Sequence, residues 1–239
     1  MTMPLLTRRA IAILSTLACI SLSACGGGAN STSQVKPAGT PAPAIDTGPP
    51  PKPTVLVLGD SIAAGFGLLS MQAFPALLQE KLEKDGYDVE VENAGVSGDT
   101  TAGGLSRLES VLTSHVKILI VALGGNDALR GLSPASTHDN LTKIIQAARG
   151  KGIEVMVAGM QAPPNLGEDY KTAFNAAFSQ VATESKNNIT YIPFLLEGVA
   201  GNPELNQTDG IHPTAAGAAV IANTIYEKLK PLVDYVLSR

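Results

Sequence analysis

Cysteine is nearly missing from this chain: its 239 residues hold two, Cys19 and Cys25, both close to the amino end. From residue 26 onward there is no thiol, so disulfides are excluded there and stability must come from an apolar core. Tryptophan is absent and aromatic residues make up 4% of the chain, which argues against an aromatic sugar-binding platform. Positive charge is not in excess. The 17 Lys and Arg face 21 Asp and Glu, so the basic footprint of a nucleic-acid binder is missing. No phosphate-binding loop or dinucleotide fingerprint occurs, and no repeat recurs at a fixed period. His115 and His138 flank expected helices without ligand-like spacing to Cys, Asp or Glu, a pattern of surface residues rather than of a metal site.

The amino end has its own pattern. Arg8 and Arg9 precede an apolar run from Ala10 to Ile20 that closes on small residues, the mark of an export signal that is later removed. The run is shorter than the roughly 20 apolar residues that span a bilayer, and Gly26-Gly27-Gly28 follow it rather than a stop-transfer sequence. Leu22-Ser23-Ala24-Cys25 resembles the bacterial lipobox, in which cleavage before a cysteine leaves that cysteine acylated at the new amino end. The expectation is therefore a signal peptide over residues 1–24 and lipidation of Cys25. The mature protein would then be exported and held on a membrane by its lipid anchor. Gly26 rather than Asp after the cysteine points to the outer membrane, facing the periplasm. The alternative is that Cys25 is an ordinary small residue near a cleavage site. The paired arginines leave both the Sec and the Tat export routes open. Loss of the segment removes two arginines and no acid, taking the formal net charge from −4 to −6.

Residues 26–53 are Gly, Ser, Thr, Ala and Pro with almost no large apolar side chain, too little to bury a core, so residues 25–53 read as a lipidated cysteine and its tether. Residues 54–239 suit one domain. Within it, short apolar runs alternate with helical stretches whose apolar residues recur every three or four positions. Strands are expected over Thr54–Leu58, Asp88–Asn93, Val116–Leu123, Ile153–Gly159 and Ile189–Ile192. Helices are expected over Phe74–Lys84, Leu105–Leu112, Ser136–Arg149, Tyr170–Glu184 and Pro213–Leu237. This alternation predicts an α/β domain, a three-layer α/β/α sandwich around a flavodoxin-like, five-stranded parallel sheet. Ligands in such sheets bind at the carboxyl ends of the strands.

Polar residues gather at those ends. The first strand runs into Gly59-Asp60-Ser61, placing a serine hydroxyl at a strand-to-helix turn, although a serine after an aspartate is also an ordinary helix start. The second leads into Ser97-Gly98-Asp99-Thr100 and the third into Gly124-Gly125-Asn126-Asp127. The Gly98 N–H and the Asn126 amide could both donate to an oxyanion, or both segments could simply be turns. Asp209-Gly210-Ile211-His212-Pro213 sets a carboxylate three residues before an imidazole, a spacing that lets the acid fix the ring's tautomer, or the segment is simply an aspartate turn and a histidine beside a helix start.

These four segments, taken together and in this order, resemble the conserved blocks of the SGNH hydrolases, the GDSL esterase/lipase family. The resemblance runs from Thr54 to the end and holds at all four naming positions, Ser61, Gly98, Asn126 and His212. Ala128-Leu129-Arg130-Gly131-Leu132 is most similar to the small bacterial branch of arylesterases, thioesterases and lysophospholipases. The resemblance implies a serine ester hydrolase with Ser61 as nucleophile, His212 as base and Asp209 as its partner. Ser61, Gly98 and Asn126 would form the oxyanion hole. It implies a small-molecule or lipid ester as substrate, with no cofactor, metal or obligate protein partner. Two alternatives stand beside it, a carbohydrate O-acetyl esterase and a non-catalytic binding lipoprotein that keeps the fold.

Overall fold

The first strand, β1 (Thr54–Gly59), is an uninterrupted run of buried residues, as befits a central parallel strand covered on both faces. In the computed structural model, which describes residues 51–184 and 189–239, it pairs on one side with β2 (Glu90–Gly95) and on the other with β3 (Val116–Ala122). β4 (Glu154–Ala158) and β5 (Thr190–Ile192) extend the sheet. All pairings are parallel and the order is β2-β1-β3-β4-β5, the five-stranded arrangement expected from the sequence. The expected signal peptide, Cys25 and residues 26–50 of the expected tether lie outside the described residues.

Helices α2 (Phe74–Lys84) and α7 (Ala215–Leu237) pack together as one layer, while α3 (Thr101–Val111), α5 (Pro134–Gly150) and α6 (Glu168–Glu184) pack in series as the other. α7 shows how the pattern becomes packing. Ile221, Ile225, Leu229 and Val233 recur every four residues, and all are buried in the core that β1, β3 and β4 also fill. No helix among the described residues is long and apolar enough to cross a membrane.

The edges of elements differ from the sequence expectation where polar capping decides them. β2 lies two residues later than Asp88–Asn93 and is largely exposed, because it is an edge strand with little apolar signal. α3 begins four residues before Leu105, since the Thr100 hydroxyl accepts from the Gly103 N–H at 3.2 Å and carries the helix across glycines 103 and 104. Two short helices, α1 (Ser61–Ala64) and α4 (Gly125–Leu129), stand at the carboxyl ends of β1 and β3; a helix start is expected at Ser61, whereas the residue types at 124–127 alone read as a turn.

Candidate active site

Asp60 caps α1, its Oδ1 accepting from the Ile62 N–H at 3.0 Å, and this cap puts Ser61 at the first helical position beyond β1. Opposite it, the segment before α7 folds back on itself. Asn206 and Pro213 form an antiparallel bridge, the Gln207 N–H donates to the His212 carbonyl at 2.7 Å, and the Gly210 N–H donates to the Gln207 carbonyl at 2.9 Å. The Gln207 amide ties this loop to the first one, donating to the carbonyls of Phe66 at 2.7 Å and Pro213 at 2.9 Å.

These two loops bring together side chains 151 residues apart. His212 Nε2 lies 2.9 Å from Ser61 Oγ, and His212 Nδ1 lies 2.7 Å from Asp209 Oδ2. With the Asp209 carboxylate as acceptor, Nδ1 carries the proton and Nε2 is left to accept from the serine hydroxyl. Asp209 is itself fastened, since its Oδ1 accepts from the N–H groups of Ile211 at 2.9 Å and His212 at 3.0 Å. Those bonds, with the His212 ring, hold its carboxyl down at about 2 although it is exposed. The ring of Phe66 covers the imidazole, centroid to centroid 4.5 Å.

The two expected oxyanion segments flank this relay. Gly98 has φ of +81°, a conformation that favours glycine. Among the described residues, no protein group accepts from the N–H of Ser61 or of Gly98, so both donors are free for a ligand. Asn126 stands on α4 next to Asp60, whose Oδ2 accepts from its amide across a long 3.5 Å. Gly124, with φ of +116°, sets the start of α4, and a Cβ there would meet Phe178 at 2.7 Å.

Several residues that support the site carry no clear mark in the sequence. Asp60 is 2% exposed, and its burial raises its carboxyl to about 6 against the lowering effect of the Ile62 N–H. Arg107 pairs with Asp99 at 2.8 Å and donates to the Gly59 carbonyl at 3.1 Å, joining α3 to the end of β1. Arg130 donates to the Gly98 carbonyl at 2.7 Å. Buried Asp127 accepts from the Thr101 N–H at 2.9 Å and from the hydroxyls of Thr101 and Thr137, which fixes α3 and α5 to the short helix α4 that holds Asn126. Their partners lie far away in the chain, so only the proximity of Arg107 to Asp99 could have been read beforehand.

A cleft of about 580 Å³ opens beside the relay, over the ends of β3, β4 and β5. Ile62, Leu129, Met160, Pro163, Phe194 and Ile211 give it a mainly apolar lining suited to an acyl or aryl group. His138 lies elsewhere, half-buried, with its ring nitrogens in hydrogen-bond contact with Asp139 at 3.3 Å and Glu184 at 2.9 Å. Among the described residues no three His, Cys, Asp or Glu side chains converge as metal ligands.

A serine, a histidine and an aspartate joined by hydrogen bonds at the carboxyl edge of a parallel sheet define the class of hydrolases that work through an activated serine. Residues 57–220 match the GDSL-like Lipase/Acylhydrolase family, and the chain belongs to it. It is 45% identical over 181 residues to esterase TesA of Pseudomonas aeruginosa, covering 75% of this chain and 89% of the relative. It is 37% identical over 183 residues to thioesterase 1/protease 1/lysophospholipase L1 of Escherichia coli K12, covering 76% and 86%. A crystal structure of TesA superposes with a TM-score of 0.71 at 44% identity, over 75% of this chain and 99% of the solved one. The protein is a carboxylic ester hydrolase of the SGNH type.

Proposed function

We propose that Ser61 is the nucleophile of this esterase, His212 its general base and acid, and Asp209 the group that orients and stabilises the imidazolium. The observation that carries the reading is the unbroken relay from Asp209 Oδ2 through His212 to Ser61 Oγ, with both links under 3 Å. Ser61 Oγ attacks the acyl carbonyl while His212 Nε2 takes its proton, and the carbonyl oxygen becomes an oxyanion. The N–H groups of Ser61 and Gly98 and the Asn126 amide receive that charge. The bond to the leaving group then breaks, His212 returns the proton to it, and Ser61 is left acylated. Water attacks this ester with His212 again as base and restores the enzyme.

The substrates are acyl or aryl esters, thioesters or lysophospholipids, with the acyl group in the apolar cleft. This choice draws on the names of the relatives and on that cleft's lining. Export and anchoring through an acylated Cys25 belong to the same proposal, supported by the residue pattern of the first 25 positions. A fluorophosphonate probe should label the wild-type chain and not Ser61→Ala. Labelling that survives the substitution would refute the assignment of the nucleophile. Membrane extraction of a Cys25→Ser chain checks the anchor: it should leave the membrane and stay active, and unchanged membrane retention would refute the lipidation.

A further inference from the structure

Nine large apolar side chains stand exposed among the described residues, and they are not scattered. Leu69 and Met71 in the connection from α1 to α2, Val96 after β2, and Leu132 after α4 all lie at the carboxyl edge of the sheet. Phe66, Leu129 and Ile211 share that edge and border the relay or the cleft. Only Tyr235 and Leu237, at the far end of α7, lie elsewhere. Charge is sparser at that edge. The loops 65–73, 96–100, 130–133, 159–167 and 193–214 contain five charged residues, Asp99, Arg130, Glu197, Glu204 and Asp209, and Asp99 is paired with Arg107. At the amino ends of the strands stand four ion pairs, Lys52 with Asp88, Lys151 with Glu109, Lys230 with Asp85 and Arg239 with Glu154, against two toward the carboxyl edge, Arg107 with Asp99 and Lys171 with Glu168.

We infer that this sparsely charged, apolar rim is a docking face for a zwitterionic lipid surface, which it meets with the catalytic mouth turned toward the lipid. The inference rests on the ester-hydrolase reading, and the orientation of the tethered chain rests also on the acylated Cys25. Leu69 and Met71, 66% and 71% exposed, line no part of the cleft, so a role in holding one substrate molecule does not account for them. A protein seated on this rim would close the mouth beside Phe66 and His212, whereas a lipid surface would deliver substrate through it. The chain's length permits the orientation. The domain begins at Thr54, at the edge away from the relay, and is about 40 Å across for its number of residues. The 28 residues from 26 to 53 can span at most about 95 Å, enough for an anchored domain to turn its far edge to the membrane. The net charge of −6 carried by residues 47–239 favours a zwitterionic over an anionic surface.

The test uses residues 47–239, one compact unit; a solved TesA chain matched over 99% of its length covers 75% of this chain, so a domain of that size folds without the rest. In flotation with phosphatidylcholine vesicles the domain should rise with the lipid. Leu69→Ser with Met71→Ser should reduce the bound fraction about tenfold, the effect of withdrawing two partly inserted apolar side chains. Turnover of dissolved p-nitrophenyl acetate should be the same for both proteins, while hydrolysis of an ester embedded in the vesicles should fall in parallel with binding. A wild-type domain that stays in the soluble fraction would overturn the proposal, as would equal flotation of the double variant. A dimer in sedimentation velocity that the two substitutions dissolve would overturn it too, assigning the rim to a second copy. Because flotation is read without turnover, failure of the esterase reading would appear in the acetate measurement alone.

Discussion

Arg130 Nη2 donates to the Gly98 carbonyl across 2.7 Å, so the segment that follows Asn126 holds the loop that carries Gly98. Two of the three proposed oxyanion donors are thereby fastened to each other by a side chain that belongs to neither.

Arg130→Ala should lower kcat on p-nitrophenyl butyrate about tenfold with little change in KM. That is a fraction of the roughly 10² to 10³ lost when a whole donor is removed, because the Gly98 N–H would be loosened rather than deleted. Arg130→Lys should recover part of the loss. Steady-state kinetics of the three proteins provide the check, and an unchanged kcat would mean that the loop is held without this bond.

Ser61, His212 and Asp209 should act as a unit whose losses do not add. Ser61→Ala and His212→Ala should each lower turnover by about 10⁴ or more, with the double variant little worse. Asp209→Asn should also be severe, because an amide at that position no longer favours the tautomer that leaves Nε2 free. Folding, followed by circular dichroism, should be retained in all of these variants, since the three side chains lie outside the buried core.

Asp60 should make stability depend on pH in the direction opposite to a salt-bridged acid. Its carboxyl is raised from 3.8 to about 6, so the folded protein binds the proton more tightly than the unfolded chain. The stability this contributes is fully present below about pH 4 and is lost as pH rises through about 6. A rise of this size corresponds to on the order of 2 to 3 kcal/mol. Calorimetry of wild type and Asp60→Asn between pH 4 and 7 isolates it: the difference in Tm should shift against the wild type as pH rises. A difference that stays flat would contradict the buried carboxyl. Asp209, held at about 2, should not titrate in this window.

Asp127→Ala should destabilise the fold by about 3 kcal/mol, because it strips the acceptor from a backbone N–H and two hydroxyls in a buried setting. For a domain of this size that is about 10 °C in Tm. Thermal denaturation followed by circular dichroism measures it, and a change of less than about 1 kcal/mol would show that the threonines find other partners.

The order of strands and helices was readable because it rests on local periodicity. The apolar run at Thr54–Gly59 and the fourfold spacing from Ile221 to Val233 both say in one dimension which atoms must leave water. Ser61, Gly98, Asn126, Asp209 and His212 could be named for a similar reason, since each stands in a short segment whose residue types carry the resemblance. The link between Asp209 and His212 is also short-range, spanning three residues.

What the tertiary structure alone decided is which distant groups share space. The bond from Ser61 to His212 closes 151 residues, and Gln207 fastens its loop to Phe66 across 141. The raised carboxyl of Asp60 follows from burial by elements that sequence neighbours do not supply. Asp127 finds Thr101 at 26 positions' distance, and Arg130 finds Gly98 at 32. Local pattern governs solvation and dihedral preference residue by residue, whereas these contacts depend on the packing of α3, α4 and α5 against the sheet. The residue types at the site were therefore determined by the sequence, and the alignment of their donors and acceptors by the fold, because hydrogen-bond geometry is set only when the chain has closed on itself.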